Sequence, residues 1–343
     1  MGPLLNLSHR EVLVLKTFLM FLLLSFSLSV SAAQKINGAG ATFPYPIYSK
    51  WFSEYQKTHS NVEFNYQSIG SGGGIKQVLA QTVDFGATDA PMTDAELKSA
   101  KTPIRHIPTV LGAVVAAYNV KGVGTDLKLD GETLANIFLG KITKWNDATI
   151  TKLNPKLKLP ATDILVVRRS DGSGTTAVFS TFLAESSAEW KSKVGAGKNI
   201  NWPAGIGAKG NEGVTAMISQ TDGAIGYVEL AFAINNKLAM SALKNKKGEF
   251  VSASVDSITK AAGNVKDFSG DLRISVINSD AKGAYPISSF TWILLPEDKA
   301  SAAVKEVRTF LTWALKEGQA MASDLHYAPL PKKMAEAIVK SLK

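Results

Sequence analysis

The segment Val166-Val167-Arg168-Arg169-Ser170-Asp171-Gly172-Ser173-Gly174-Thr175-Thr176 gathers the residue types that a small oxyanion needs. Arg169 offers a planar fork of N–H donors that suits a tetrahedral oxyanion. Asp171, two residues on, is near enough to pair with that guanidinium and hold it. Ser173 and Thr175 add hydroxyls, and the glycines let an anion approach main-chain amides closely. Ile164 to Val167 reads as a short buried strand, while Val178, Phe179, Phe182 and Leu183 fall at helical spacing. The chain therefore turns from a strand directly into a helix. Its first amides lack intrahelical acceptors, and the dipole makes that end electropositive. The same pattern also describes a plain capped helix start. It is not a Walker loop, because the Gly-Lys-Ser/Thr ending is missing.

Repetition along the chain separates the two readings. Ile36 to Phe43 is a Gly-rich turn before Pro44, with Thr42 beside it. A helix should follow to about Lys57, with Ile47, Trp51 and Tyr55 on one face. Val62 to Tyr66 alternates as a strand and leads through Gly70-Ser71-Gly72-Gly73-Gly74 into a helix bearing Ile75, Val78 and Leu79. Three Gly-rich helix starts, each with a hydroxyl, make one polydentate oxyanion site. Val83 to Pro91 reads as a strand ending in Asp89, ahead of a capping box at Thr93 and Glu96. A carboxylate facing an anion is tolerated only if the two share a proton.

The positioning elements follow. Ile104 to Tyr118 is a long apolar run suited to a buried strand that leaves one lobe for the next. Asp130 to Leu139 and Trp145 to Leu153 read as short helices. Val214 to Ile218 continues a helix after a glycine-rich stretch, and Gly223 to Val228 reads as a strand. Tyr285 to Leu295 is a second long apolar strand, the expected return crossing, and amphipathic helices close the chain. The expectation is an α/β protein with two lobes, each a mostly parallel sheet flanked by helices, and a ligand cleft over a hinge. Lobe I spans 34–119 plus 286–343 and lobe II spans 120–285.

Lys16, the apolar run Thr17 to Val30 and the small residues Ser31-Ala32-Ala33 have the form of a secretory signal over 1–33. That apolar core, about 14 residues, is short for a membrane span. The sequence has no cysteine, which excludes a disulfide framework, Cys-ligated metal and a lipoprotein anchor at the cleavage site. A soluble protein of the Gram-negative envelope space, the periplasm, fits these features. The net charge of +9 suits an anionic partner, yet the lysines form no dense run to track nucleic acid. A secreted phosphatase or serine hydrolase is disfavoured. Neither Ser71 nor Ser173 sits in Gly-x-Ser-x-Gly, and His59, His106 and His326 form no triad or metal pattern.

GAGATFP at 38–44, IGSGGGIKQ at 69–77, VDFGATDAP at 83–91, LGKITKWND at 139–147, VVRRSDGSGT at 166–175 and GAIGYVE at 223–229 occur in this order. Together they resemble the PstS family, the phosphate-binding proteins of the phosphate-specific ABC transporter, which are type II periplasmic binding proteins. The resemblance covers nearly the whole chain after the signal, including Tyr-Pro-Ile-Ser at 285–288, and is weakest from Leu243 to Ala284. It implies phosphate contacts from Thr42 and Phe43, with Ala41 lining the turn, and from Ser71. Asp89 would accept a phosphate proton, and Arg169 would bind through its guanidinium with Asp171 as salt-bridging partner. Ser173, Gly174 and Thr175 would bind at the helix start. The implied function is high-affinity binding of inorganic phosphate and its delivery to membrane permease subunits, by a monomer without cofactor, metal or nucleic acid partner. The rival readings are a binder of another tetrahedral oxyanion (arsenate or sulfate), a secreted phosphatase, and an adhesive or scavenging surface role.

Overall fold

Apolar, β-branched runs become buried strands, and each glycine-hydroxyl turn lies between a strand and the next helix. The computed structural model describes residues 33–342 other than 269 and 299, together with 2 and 10. The expected leader over 1–33 thus falls outside the described residues, apart from positions 2, 10 and 33. Among the described residues, no helix is long and apolar enough to cross a membrane.

The first sheet is built from β1 (Gln34–Gly40), β2 (Val62–Ser68), β3 (Phe85–Thr88) and β4 (Ile104–Asn119). The central sheet then continues through β6 (Leu165–Arg169), β7 (Ile206–Ala208) and β8 (Ala224–Glu229), with β5 (Lys128–Leu129) in a small side sheet. The short strands β9 (Ala239–Met240), β10 (Ala242–Lys244) and β11 (Phe250–Val251) precede the last strand, β12 (Ser288–Pro296). The order is β2-β1-β3-β12-β4-β8-β6-β7. β1 runs parallel to β2 and β3, and β6 runs parallel to β7 and β8. β12 and β4 are antiparallel to their neighbours.

β4 belongs to both halves. Residues up to Ala113 pair with β12, whereas Val114 to Asn119 pair with β8. Its uninterrupted burial is what a strand covered on both faces requires. The return connection is tighter than the apolar run predicts. Tyr285 to Ile287 are not strand, and β12 begins only at Ser288. Pro286 has no N–H to give a ladder, and its carbonyl instead accepts from Asn278 N at 2.7 Å. Ile287 O accepts from Val114 N at 2.8 Å, so the two connections touch where β4 changes sheet. The expected helix over Trp145 to Leu153 is also shorter. It starts at Ala148 because the Asp147 side chain caps Thr149 N at 2.8 Å.

Helices cover both faces. α1 (Tyr45–Thr58) buries Tyr48, Trp51, Phe52 and Tyr55, and Phe52 stacks on Phe64 of β2 with centroids 4.8 Å apart. α2 (Ser71–Leu79) follows β2, and α3 (Asp94–Lys98) follows β3 with the Thr93–Glu96 capping box in place. On the other side α4 (Gly131–Phe138) and α5 (Gly174–Ser186) pack around Phe138, Phe179 and Tyr227, while α6 (Gly210–Gln220) lies against Gly226 on the opposite face of β8. α7 (Ala302–Lys316) and α8 (Lys332–Leu342) return to the first half, where Phe310 meets Phe52 at 5.0 Å.

Candidate functional site

The predicted residues meet at one place between the two halves. Thr42, Ser71, Asp89, Arg169, Ser173 and Thr175 are each no more than 3% exposed. Each arrives through a local device. Arg169 is the last residue of β6, and its side chain is gripped by Asp171 through Nε to Oδ1 at 2.7 Å and Nη2 to Oδ2 at 2.5 Å. Asp171 Oδ1 also accepts Gly210 N at 3.1 Å, which ties the start of α6 to the same carboxylate. Burial works against that carboxylate, but the hydrogen bonds and charge of Arg169 outweigh it and hold its pKa below the ordinary value. The remaining Arg169 nitrogen, Nη1, donates to Thr175 Oγ1 at 3.3 Å.

α5 starts where the sequence places a helix start. Ser173 is its N-cap and accepts Thr176 N at 3.0 Å, leaving the Gly174 and Thr175 amides among those without intrahelical acceptors. Ser71 is the first residue of α2, behind an N-cap Gly70 at φ +85°, and its Oγ accepts Asp89 N at 3.2 Å. A Cβ at Gly70 would stand 2.3 Å from Asp171 Oδ2, so only glycine fits between the two halves here. In the first turn, the amides of Thr42 and Phe43 donate to no protein acceptor among the described residues. Ala41 is fully buried beneath that turn, its amide donating to Ala87 O at 3.0 Å.

Asp89 lies one residue beyond β3 and faces these donors. Its Oδ1 accepts the Thr291 hydroxyl at 2.9 Å, while Oδ2 stands 3.4 Å from Ser71 Oγ. Burial pushes its pKa up from 3.8 to about 7, against the Thr291 hydroxyl, the Arg169 charge and the Ser71 hydroxyl. A carboxyl at that value exchanges a proton readily near neutrality. The site therefore offers one guanidinium, several first-turn amides and several hydroxyls as donors, and one acceptor able to take a proton.

Contacts cross directly between the halves. Gly72 N donates to Gly172 O at 2.8 Å, and Lys198 Nζ reaches Glu96 Oε2 at 3.1 Å. Asn211, fully buried in α6, donates through Nδ2 to Thr42 Oγ1 at 2.7 Å. Neither Asn211 nor Thr291 was legible as part of the site. Thr291 lies inside an apolar strand, and Asn211 stands in a glycine-rich stretch with no distinguishing spacing. The Gly-Asn-Glu start of α6 is the only signal, a fourth glycine-led helix start. Glu229, the last residue of GAIGYVE, is fully buried where β4 meets β8. Its Oε2 accepts Ala231 N at 2.7 Å and the Tyr327 hydroxyl at 3.2 Å, and burial raises its pKa well above the ordinary value. The histidines stay outside the site. His106 Nε2 accepts Met92 N at 3.0 Å, and burial lowers its pKa to about 4. His59 stacks on Tyr55 at 3.8 Å.

Two α/β halves joined by β4, with a donor-rich cleft between them, define the two-lobed periplasmic binding protein fold. Residues 29–317 match the PBP superfamily domain. A phosphate-binding protein PstS of Xylella fastidiosa is 46% identical over 308 residues, 89% of this chain and 84% of that one. The PstS of Pasteurella multocida is 44% identical over 326 residues, 94% of each chain. A solved high-affinity periplasmic phosphate-binding protein with bound phosphate superposes with a TM-score of 0.72 over 90% of this chain and 94% of that one. At 22% identity this last likeness speaks for the fold alone. The chain belongs to the PstS family of phosphate-binding proteins.

Proposed function

We propose that the protein binds inorganic phosphate in the periplasm and delivers it to the permease subunits of a phosphate ABC importer. The observation that carries this reading is Asp89, a lone proton acceptor buried among anion donors. Phosphate near neutral pH keeps a hydroxyl, so it can donate one hydrogen bond to Asp89 while accepting all the others. The contacts are the Thr42 and Phe43 amides and the Thr42 hydroxyl in a turn lined by Ala41, then Ser71, Arg169, Ser173, Gly174 and Thr175. Asp171 orients the guanidinium. Lobe I (34–119 and 286–343) and lobe II (120–285) each hold part of this set, so the ligand stabilises their approach by hinge motion. The permease then reads the closed form. The chain acts as a monomer and not as an enzyme, and it reaches the periplasm after loss of the 1–33 leader.

The magnitudes suffice. Micromolar affinity requires about 8 kcal/mol. Charge-assisted hydrogen bonds contribute about 1.5–3 kcal/mol each, so several cover the costs of closure and desolvation. The test is calorimetry of the mature protein with phosphate, arsenate and sulfate. Phosphate should bind tightly, arsenate more weakly as a proton-bearing mimic, and sulfate least. Sulfate binding as tight as phosphate would sink the reading.

A further inference from the structure

We propose that Asn211 sets the hydrogen-bond polarity of one flank of the cleft and so turns the ligand's proton toward Asp89. This rests on the phosphate reading above. Asn211 is fully buried, and its Oδ1 accepts Glu229 N at 2.9 Å. That main-chain donor needs an acceptor, which fixes the amide so that Nδ2 faces the site. Nδ2 donates to Thr42 Oγ1 at 2.7 Å and to Thr175 Oγ1 at 3.2 Å.

A hydroxyl has one proton and two lone pairs. Thr42 Oγ1 also receives Asn211 N at 3.2 Å, so both of its lone pairs are engaged. Thr175 Oγ1 receives Arg169 Nη1 at 3.3 Å as well, which engages both of its own. Each hydroxyl is left with a proton to give and nothing to accept with, and no protein acceptor among the described residues takes either proton. A ligand O–H pointed at this flank would meet only donors. It must turn toward Asp89, where Oδ1 is occupied by Thr291 and Oδ2 faces the Gly174 turn.

Thr42 lies in the first half and Asn211 in the second, so this polarity is complete only when the halves meet. Asn211 is a positioning residue. It acts on the ligand through two hydroxyls and commits both of its side-chain N–H donors to them.

The test is calorimetric titration of phosphate into wild type, Asn211→Ala and Asn211→Asp at about pH 6 and about pH 8, which changes the number of protons the ligand carries. Asn211→Asp keeps the shape but replaces the amide donors with acceptor oxygens, toward which both threonine protons turn. Its affinity should fall by about a hundredfold at the higher pH, through two lost donors and a like charge. Asn211→Ala frees lone pairs on both hydroxyls, so the flank can accept a second ligand proton. Its affinity should fall about tenfold at the higher pH and less at the lower one. The high-to-low pH affinity ratio should therefore be smaller than in wild type, a change that simple loosening would not produce. Ligand-free melting identifies the variants that fold, and either one alone decides the matter. An unchanged pH ratio in a folded variant, whatever its affinity, would overturn the role of Asn211 while leaving the phosphate reading intact. Failure of wild type to bind phosphate would overturn both.

Discussion

Arg169 brings a guanidinium to the buried end of β6 beside a carboxylate that uses two of its nitrogens. Arg169→Ala removes this charge and leaves Asp171 as an unpaired negative neighbour of the ligand. Phosphate affinity should fall at least about tenfold, or 1.4 kcal/mol. Arg169→Lys should recover part of the loss, because an ammonium cannot replace a fork that binds Asp171 and Thr175 at once. Titration showing unchanged affinity for Arg169→Ala would mean that the ligand sits elsewhere. Asp89 has the complementary task. Against sulfate an ionised Asp89 would meet only acceptor oxygens in a dry site, so above about pH 7 discrimination comes from repulsion of the wrong anion. Asp89→Asn keeps an acceptor oxygen and can also turn an NH₂ toward the ligand. Phosphate should lose about tenfold or less, and sulfate should gain. Competition between the two anions in wild type and Asp89→Asn reads this directly. An affinity ratio that does not move in favour of sulfate would remove Asp89 as the discriminator.

At the scale of elements, the site is a set of helix starts pressed against one another, and α5 shows how tightly. A Cβ on Gly174 would stand 2.4 Å from Ser71 Oγ and 2.7 Å from Asp89 Oδ2, both on the opposite half. Alanine suits a helix better than glycine by about 1 kcal/mol, so Gly174→Ala should not weaken α5 itself. It should instead prevent the halves from meeting. The expected result is an affinity loss of about tenfold or more, with any drop in ligand-free melting temperature limited to the lost contact between the halves. A fall in melting temperature matching the affinity loss would assign Gly174 to folding rather than to closure. Helix starts of this kind are legible in a sequence because glycine, hydroxyl and apolar spacing all lie within one short window. Ser173 could be read as a cap and Asp171 as the partner of Arg169, since both pairings are local. Thr291 could not, because its bond to Asp89 joins residues 202 apart in the chain. Asn211 reaches Thr42 across 169 residues, and nothing near either residue announces the other. The two-lobe plan was legible from the long apolar run of β4. The place where β4 changes sheet was not, because the residues on both sides of it are equally apolar and equally buried.

At the scale of the whole molecule, contact between the halves dries Asp89, so its proton reports on closure. Its pKa is raised from 3.8 to about 7, and the native state therefore holds a proton that the unfolded chain has released over that window. Stability falls as pH rises wherever the native state binds the extra proton, by up to about 1.4 kcal/mol per pH unit for one group. The Asp89 contribution is thus fully present below pH 3.8 and is lost as pH rises through about 7. Glu229, also raised by burial, acts in the same direction. His106 opposes them, since lowering it from 6.5 to about 4 makes its contribution grow with pH across that interval. Above about pH 6.5 the His106 contribution levels off and those of the buried carboxyls remain. Urea midpoints of the ligand-free protein, measured from about pH 5 to about pH 8, should therefore decline toward the upper end. Asp89→Asn lacks the titrating group while keeping the other two, so its profile should be flatter. Its advantage over wild type should widen as the pH rises. Parallel profiles would mean that the ligand-free halves stand apart, with water restoring Asp89 to the ordinary carboxylate range. Repeating the series with saturating phosphate would then separate closure from the carboxylate's own environment, because the proposed sharing of a proton between Asp89 and phosphate would draw the halves together.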